Sequence, residues 1–577
     1  MKKLLFPLLS FLLFSACTKE DFGISSVDNP YDGRLVSVYG ETITVSFYAE
    51  AAWDAVLELS SEGDWAEIAQ KRGADKAGTG RVQIAFSVNK DVQERTAHLY
   101  IQVTGKERML VASFTQAAAG NSSGMSAYLN QYMHDILKDE YLWAEDYAAL
   151  QVDMSLPYTE FLPAHLLSMS SNMEDGGVYR SYLGGLAGQR YIYSSIQELT
   201  SGATRSVQNS GLGFGPMYAT VMPSGSYGLS VGYVHKDSPA YEAGMRRGDT
   251  IYEVNGRTML TEEDYNQFYN ELYLSPSGSY TLKFFRDAKL NSAYSATVSP
   301  ASYKYDPVLY MDVIEYGDNK IGYAVLENFD YYSQDAVVSM IGEFAQRQIT
   351  DLVLDLRYNQ GGSVAQSRYL ASAIAGAANL DKVFANLTYN DGSVDSWLFR
   401  GGPSDQDGLG IATDLGLDRL FVICSYGTAS ASELLITSLK GIDFPVYLFG
   451  GQTEGKNVGM TASTTEYKGR VFQFAPITFR LTNAKGFGDY SDGLEPDVVL
   501  NNQNSSTADD DDNMFPYAFG DWNSFHFNRP LTTVFYNITG VVPASLQTRG
   551  DTVPMQPVGE ISTWKKEPGR YGNMIYR

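Results

Sequence analysis

Leu420-Phe421-Val422-Ile423-Cys424-Ser425-Tyr426-Gly427-Thr428-Ala429-Ser430-Ala431-Ser432-Glu433 combines a strand, a small-residue turn and a helix start. Its first five residues form a continuous apolar run, the pattern of a parallel strand buried on both faces. Beyond the turn, apolar Leu434, Leu435, Ile436 and Leu439 with polar Thr437, Ser438 and Lys440 read as helical turns that Gly441 ends. A hydroxyl at Ser430 would sit at a helix N-terminus, where free N–H groups and the positive dipole end favour a developing oxyanion. Serine also caps helices without any chemistry. The stretch alone leaves both readings open.

Outward from this turn, residues 302–500 alternate strand and helix. Ile321 to Leu326 reads as a strand, Ala336 to Phe344 as a helix and Asp351 to Leu356 as a strand. Arg357-Tyr358-Asn359-Gln360-Gly361-Gly362 then turns into a helix from Val364 to Ala375. This order predicts right-handed crossovers, a largely parallel sheet and function at the carboxyl ends of its strands. Both Gly361-Gly362 and Ser430 fall at such ends.

A nucleophilic serine needs a base. The five histidines are His98, His134, His165, His235 and His526, and none lies within 302–500. A lysine serves instead when burial lowers its pKa. Lys456 follows the apolar run Leu448-Phe449 and the loop Gly450-Gly451-Gln452-Thr453-Glu454-Gly455, which can hold it away from water. The spacing from Gly450 to Gly455-Lys456 is formally close to a phosphate-binding loop. However, Asn457 stands where that loop needs a hydroxyl for magnesium.

The chain of 577 residues is too long for one core and predicts roughly three to five domains. Its net charge of −24 argues against nucleic acid or an anionic membrane surface as a partner. Met1-Lys2-Lys3, apolar Leu4 to Phe14 and Ser15-Ala16-Cys17 describe a secretion signal too short to span a bilayer. Residues 1–17 resemble a bacterial lipoprotein signal, which implies a lipid on Cys17. A tether at 18–33 follows, and its Thr18-Lys19-Glu20-Asp21 resembles a surface-export tether. The expected address is the outer membrane, on its periplasmic or outer side. Of the two cysteines, Cys424 reads as a buried small hydrophobe.

Period-two runs between Arg34 and Ala118 predict a β-sandwich at 34–118. Trp53, Trp65, Asn89, Glu94-Arg95-Thr96-Ala97 and Phe114-Thr115-Gln116 resemble the BACON module, which implies a spacer or a glycan- or mucin-contacting domain. Exposed tryptophans would stack on sugars, although core packing is their commoner use in a sandwich. Residues 119–205 read as a helical lead-in. At 206–301, Ser238-Pro239-Ala240, Ala243-Gly244, Arg247-Gly248-Asp249-Thr250-Ile251 and Val254-Asn255-Gly256 resemble a PDZ domain. Gly211-Leu212-Gly213-Phe214 would then offer N–H groups to a peptide carboxylate, beside an edge strand open to an extended peptide. Residues 501–577 carry the acidic run Asp509 to Asp512, read as solvated loop, and no fold is assigned to them.

Asp355-Leu356-Arg357, Asn359, Gly361-Gly362, Thr428-Ala429-Ser430-Ala431-Ser432-Glu433, Gly455-Lys456 and Leu494-Glu495-Pro496-Asp497 together resemble the carboxy-terminal processing (tail-specific) serine peptidases. That resemblance covers about 206–500. It implies a crotonase/ClpP-like α/β core acting without metal or organic cofactor on protein or peptide substrates. It further implies Ser430 as nucleophile, Lys456 as base, and an oxyanion hole from Ala431 N–H and one of Gly361 and Gly362. Two positions depart from the pattern: Met460 stands where glutamine is common, and Val325 where arginine is. The base's orienting partner is therefore open, with Thr453, Glu454 or another domain as candidates. A retired peptidase core serving as a surface adhesin is the rival reading.

Overall fold

In the computed structural model, Leu420–Cys424 lies inside a mainly parallel sheet. The strand order is Val308–Tyr316, Asn319–Leu326, Asp351–Asp355, Leu420–Cys424, Val446–Gly450 and Val498–Val499, and only the first pairing is antiparallel. The structure describes residues 22–116, 122–178, 189–199, 208–399, 412–500 and 517–533, apart from short gaps within them, and strands at 557–560 and 575–576. The signal segment and Cys17 lie outside the described residues.

The continuous apolar runs are explained by cores on both faces of this sheet. Leu420, Val422 and Cys424 face one core, shared with the helices Gln334–Arg347, Val364–Ala375 and Ala431–Gly441. Phe421 and Ile423 face another, which includes Tyr233, Tyr358, Phe527 and Leu531. Part of the unassigned C-terminal stretch thus covers the second face. Cys424 is buried, and burial pushes its thiol well above the usual range, so it stays a neutral hydrophobe.

The chain divides into two compact units, Met1–His134 with Asp153–Phe161, and Asp135–Val152 with Leu162–Arg577. In the first, two sheets enclose a common core. One orders Ile24–Asp28, Thr42–Ala49, Gly78–Phe86 and Ala66–Arg72. The other orders Tyr31–Val36, Arg108–Gln116, Arg95–Val103 and Trp53–Leu59. Trp53 packs edge-on to Phe47 at 4.7 Å, and the Arg95 guanidinium lies 4.5 Å from the Trp65 ring centre. Both indoles are core residues, 5% exposed, so neither is a sugar-stacking platform.

In the second unit, a sheet orders Ala293–Val298, Tyr280–Phe285, Thr250–Val254, Tyr227–Val231, Met217–Val221 and Pro557–Glu560. Its helices are Pro239–Glu242, capped by Ser238, and Glu262–Tyr269, capped by Thr261. Arg247 reaches from this domain to the Tyr358 hydroxyl at 2.5 Å, and Tyr233 to Glu327 at 2.6 Å.

Three expectations are corrected. The tether read at 18–33 does not reach that far, because Ile24–Asp28 and Tyr31–Val36 are strands of the first unit's sheets, held by pairing with distant strands. Among the described residues of 119–205, the helices are Ser122–Asp139, Ala144–Ala148 and Tyr158–Leu166. The same stretch then supplies the strands Gly177–Val178, Arg190–Tyr191 and Ser195–Leu199. Ser195–Leu199 pairs with Arg470–Ala475, a partner too distant in sequence to leave a local period. The edge beside Met217–Val221 is also not open, because Pro557–Glu560 pairs antiparallel with it (Tyr218 with Glu560, Ala219 with Gly559).

The turn after Asp351–Asp355 rests on a buried ion pair. Arg357 donates to Asp355 through Nε at 3.0 Å and a terminal nitrogen at 2.7 Å, and the Tyr323 hydroxyl donates to the same carboxylate. Asp355→Ala strands a buried guanidinium and should cost about 3–5 kcal/mol in urea unfolding. The double variant Asp355→Leu/Arg357→Met should recover most of that loss. Equal losses in both variants would show that the pair itself stabilises the turn.

Candidate active site

The turn after Leu420–Cys424 is laced to the turn after Asp351–Asp355. Thr428 Oγ1 donates to Leu356 O at 2.7 Å, Ser425 Oγ to Arg357 O at 2.8 Å, and Ala429 N to Asn359 O at 3.0 Å. The chain then enters the helix through Ser430 at φ 61°, ψ −116°. That left-handed conformation costs a non-glycine residue on the order of 1–3 kcal/mol. Ser430 thus forms a strained strand-to-helix elbow.

Gly361 packs directly on this elbow. A Cβ on it would stand 2.6 Å from Ser430 Cβ and 2.8 Å from Ala431 N, so only glycine fits. Its own N–H is bonded to Asn359 Oδ1 at 2.9 Å. The N–H groups of Gly362 and Ala431 donate to no described partner, which separates the two glycines the sequence left equivalent. Ser432 is engaged as well, donating to Asn359 O at 3.1 Å.

Glu433, wholly buried in the first helical turn, joins the serine to the lysine. Its Oε2 accepts from Ser430 N at 2.8 Å and from Lys456 N at 2.9 Å. Its Oε1 accepts from Thr453 Oγ1 at 2.5 Å and Gly455 N at 2.7 Å. Burial pushes this carboxyl up to about 7, against the bonds from Thr453, Gly455 and Ser430. Gly455, at φ +97°, permits the approach, since a Cβ there would fall 2.2 Å from Ser491 O.

Lys456 is 2% exposed, and burial pushes its amine down to about 8 against the pull of Asp175, Glu454 and Glu433. Its Nζ meets Met460 Sδ at 3.5 Å and lies 4.7 Å from the Tyr193 ring centre. The Ser430 Oγ is buried without a hydrogen-bond partner among the described residues. The serine–lysine hydrogen bond expected of a dyad is therefore not made in this form, because the amine is turned to the thioether.

Ser430, Ala431, Gly361, Gly362 and Lys456 thus gather at one place. Glu433, Tyr193 and the Glu454 carboxylate, which accepts from both Tyr191 and Tyr193, complete it. Glu433 stood in the motif without an assigned role. Tyr193 had no signal at all, since it comes from the segment read as a helical lead-in. Of the candidate orienting partners, Thr453 is spent on Glu433, and Glu454 on the tyrosines.

Gly211 ends a short strand paired with Ala301–Lys304, and Leu212, Gly213 and Phe214 follow it beside the PDZ core. Leu212 and Phe214 are buried in that core. Gly213, at φ +88°, lets Ser238 close in, where a Cβ would collide at 2.0 Å. The amides of Leu212, Gly213 and Phe214 donate to no described partner, the arrangement an anion-receiving loop needs.

Residues 320–500 match the sequence model of peptidase family S41, and residues 230–273 that of the PDZ domain. The chloroplastic carboxyl-terminal-processing peptidase 2 of Arabidopsis thaliana is 29% identical over 265 residues, 45% of this chain and 48% of the relative. A CtpA-like serine protease of Staphylococcus aureus strain COL is 23% identical over 304 residues, 49% of this chain and 55% of the relative. The chain spans about half the length of these curated relatives. A crystal structure of an S41 protease from Bacteroides fragilis NCTC 9343 superposes with a TM-score of 0.53 at 21% identity, over 71% of this chain and 97% of that one. That likeness establishes a shared fold. The chain carries an S41 peptidase domain and a PDZ domain.

An amine held near 8 rather than its ordinary 10.5 makes stability depend on pH. Below about pH 8 it is protonated folded or unfolded, and the fold carries the whole cost of the buried charge. That cost is removed as pH rises from about 8 to about 10.5. Lys456→Met is therefore expected to gain on the wild type by about 3 kcal/mol at neutral pH, with the gain vanishing above about pH 10.5. Urea unfolding across this range checks it, and a pH-independent difference would contradict the buried-amine assignment.

Proposed function

We propose that this chain, with its S41 peptidase and PDZ domains, is a serine endopeptidase that cleaves protein or peptide substrates with a Ser430/Lys456 dyad. One observation carries the reading: a single Glu433 oxygen holds the backbone amides of both residues, so nucleophile and base are parts of one rigid element. Neutral Lys456 takes the Ser430 proton as Oγ attacks the scissile carbonyl. The amine reaches Oγ by rotating its flexible stem away from Met460. Ala431 N–H and Gly362 N–H stabilise the oxyanion. Lysine then returns the proton to the leaving amine, and water, deprotonated by the same amine, hydrolyses the acyl-enzyme.

A base that must be neutral predicts a rate that rises with pH through a midpoint near 8. Ser430→Ala and Lys456→Ala should each abolish peptide hydrolysis, and the serine variant should also lose fluorophosphonate labelling. Undiminished turnover in Lys456→Ala would overturn the dyad. An unlabelled, inert wild type would favour the binding-lipoprotein alternative.

Substrate engagement through the PDZ domain belongs to the same proposal. A peptide carboxylate is received by the amides of Leu212 to Phe214, and its strand pairs with Met217–Val221. Pro557–Glu560 already holds that edge in the same antiparallel sense, so an incoming peptide must displace it. A chain ending before Pro557 is expected to bind C-terminal peptides more tightly than the full chain in fluorescence anisotropy. Equal affinities would count against displacement at this edge.

A further inference from the structure

Among the described residues no carboxylate forms an ion pair with the Lys456 amine, which meets the Met460 thioether at 3.5 Å and lies 4.7 Å from the Tyr193 ring centre. A thioether is a weak acceptor. An aromatic face attracts an ammonium by about 0.5–2 kcal/mol, the more so when desolvated. Neither binds the charge as tightly as a carboxylate would, so the amine can be located without being locked in its protonated form.

Tyr193 is itself placed with unusual firmness. The wholly buried Asp175 accepts from Tyr193 N at 3.0 Å and Ser194 N at 2.9 Å through one oxygen. Its other oxygen accepts from Ser194 Oγ and the Tyr141 hydroxyl, both at 2.7 Å. Ser194 Oγ in turn accepts from Ile477 N at 3.0 Å, fastening the segment to the core. The Tyr193 hydroxyl donates to Glu454 at 3.3 Å. The ring is thus fixed at its backbone by Asp175 and at its tip by Glu454.

We propose that Tyr193, anchored by Asp175, is the positioning residue of Lys456: its ring face and the Met460 thioether locate the amine that serves Ser430. The proposal rests on the dyad reading. It also explains how three carboxylates lie near a lysine base without quenching it. Asp175 and Glu433 are each occupied by four donors and Glu454 by tyrosine hydroxyls, so each acts on the amine from a distance. The groups facing Lys456 are then Asp175 behind the tyrosine, Glu454 in its own loop, Glu433 from the helix, and the Tyr193 ring.

The test compares Tyr193→Leu with Tyr193→Phe. Leucine keeps apolar bulk but removes the π face, whereas phenylalanine keeps the face and loses the hydroxyl that reaches Glu454. Tyr193→Leu is expected to lower kcat/KM by about tenfold or more, as misplacement of a catalytic group does. It should also move the pH–rate midpoint to lower pH, because the ammonium loses its attraction to the ring. Tyr193→Phe should restore the midpoint and keep the rate within about twofold of wild type.

The lysine's titration is followed separately, by NMR of ε-carbon-labelled lysine in the Ser430→Ala background, where no turnover is needed. A downward midpoint shift on adding Tyr193→Leu supports the proposal. An unchanged midpoint overturns it, as does an equal defect in the phenylalanine variant or a loss of rate that merely tracks the melting temperature. A wild type without turnover or labelling would instead defeat the dyad, while the NMR titration still decides the role of Tyr193.

Discussion

Four hydrogen bonds to one buried carboxylate hold the candidate site together. Glu433 accepts from the amides of Ser430, Gly455 and Lys456 and from the Thr453 hydroxyl. Two loops that follow neighbouring parallel strands are thereby closed onto a single helix turn. A carboxylate is suited to this because it offers acceptors only. An amide in its place would turn a donor toward donors. The strain at Ser430 is tolerated because these bonds, and those from Thr428 and Ala429 to the neighbouring turn, over-determine the elbow.

The carboxylate can be buried there because the sheet is covered on both faces. Helices close one side, and Tyr233 of the PDZ domain with Phe527 and Leu531 closes the other. Exclusion of water pushes Glu433 up and Lys456 down. The packing that stabilises the sheet therefore also makes a lysine available as a base near neutral pH. Fold stability and proton chemistry draw on the same burial.

Much of this was legible from local pattern. The run Leu420 to Cys424 has no polar alternation, because alternate residues enter two different cores. The helix read from Val364 to Ala375 after the Gly361-Gly362 turn has those bounds. Gly361 and Gly455 stand where any side chain would strike backbone or the elbow, so the glycines of the motif carry steric meaning. The sandwich alternation at 34–118 likewise reports inward residues such as Val45, Val82 and Leu99. In contrast, the tryptophans there could not be placed inside or outside by sequence, since an indole serves both uses.

The sequence by itself singled out the candidate positions, Ser430 at a strand-to-helix turn and Lys456 behind a glycine loop, with no histidine in 302–500 to compete. Residue type and short-range spacing fix that local geometry, while the roles of nucleophile and base came from the family resemblance. Only the tertiary structure decided what surrounds the lysine, which glycine amide is free, and what occupies the edge beside Met217–Val221. Tyr193 and Pro557–Glu560 reach those places through contacts spanning hundreds of residues, and no local period encodes a partner at that distance.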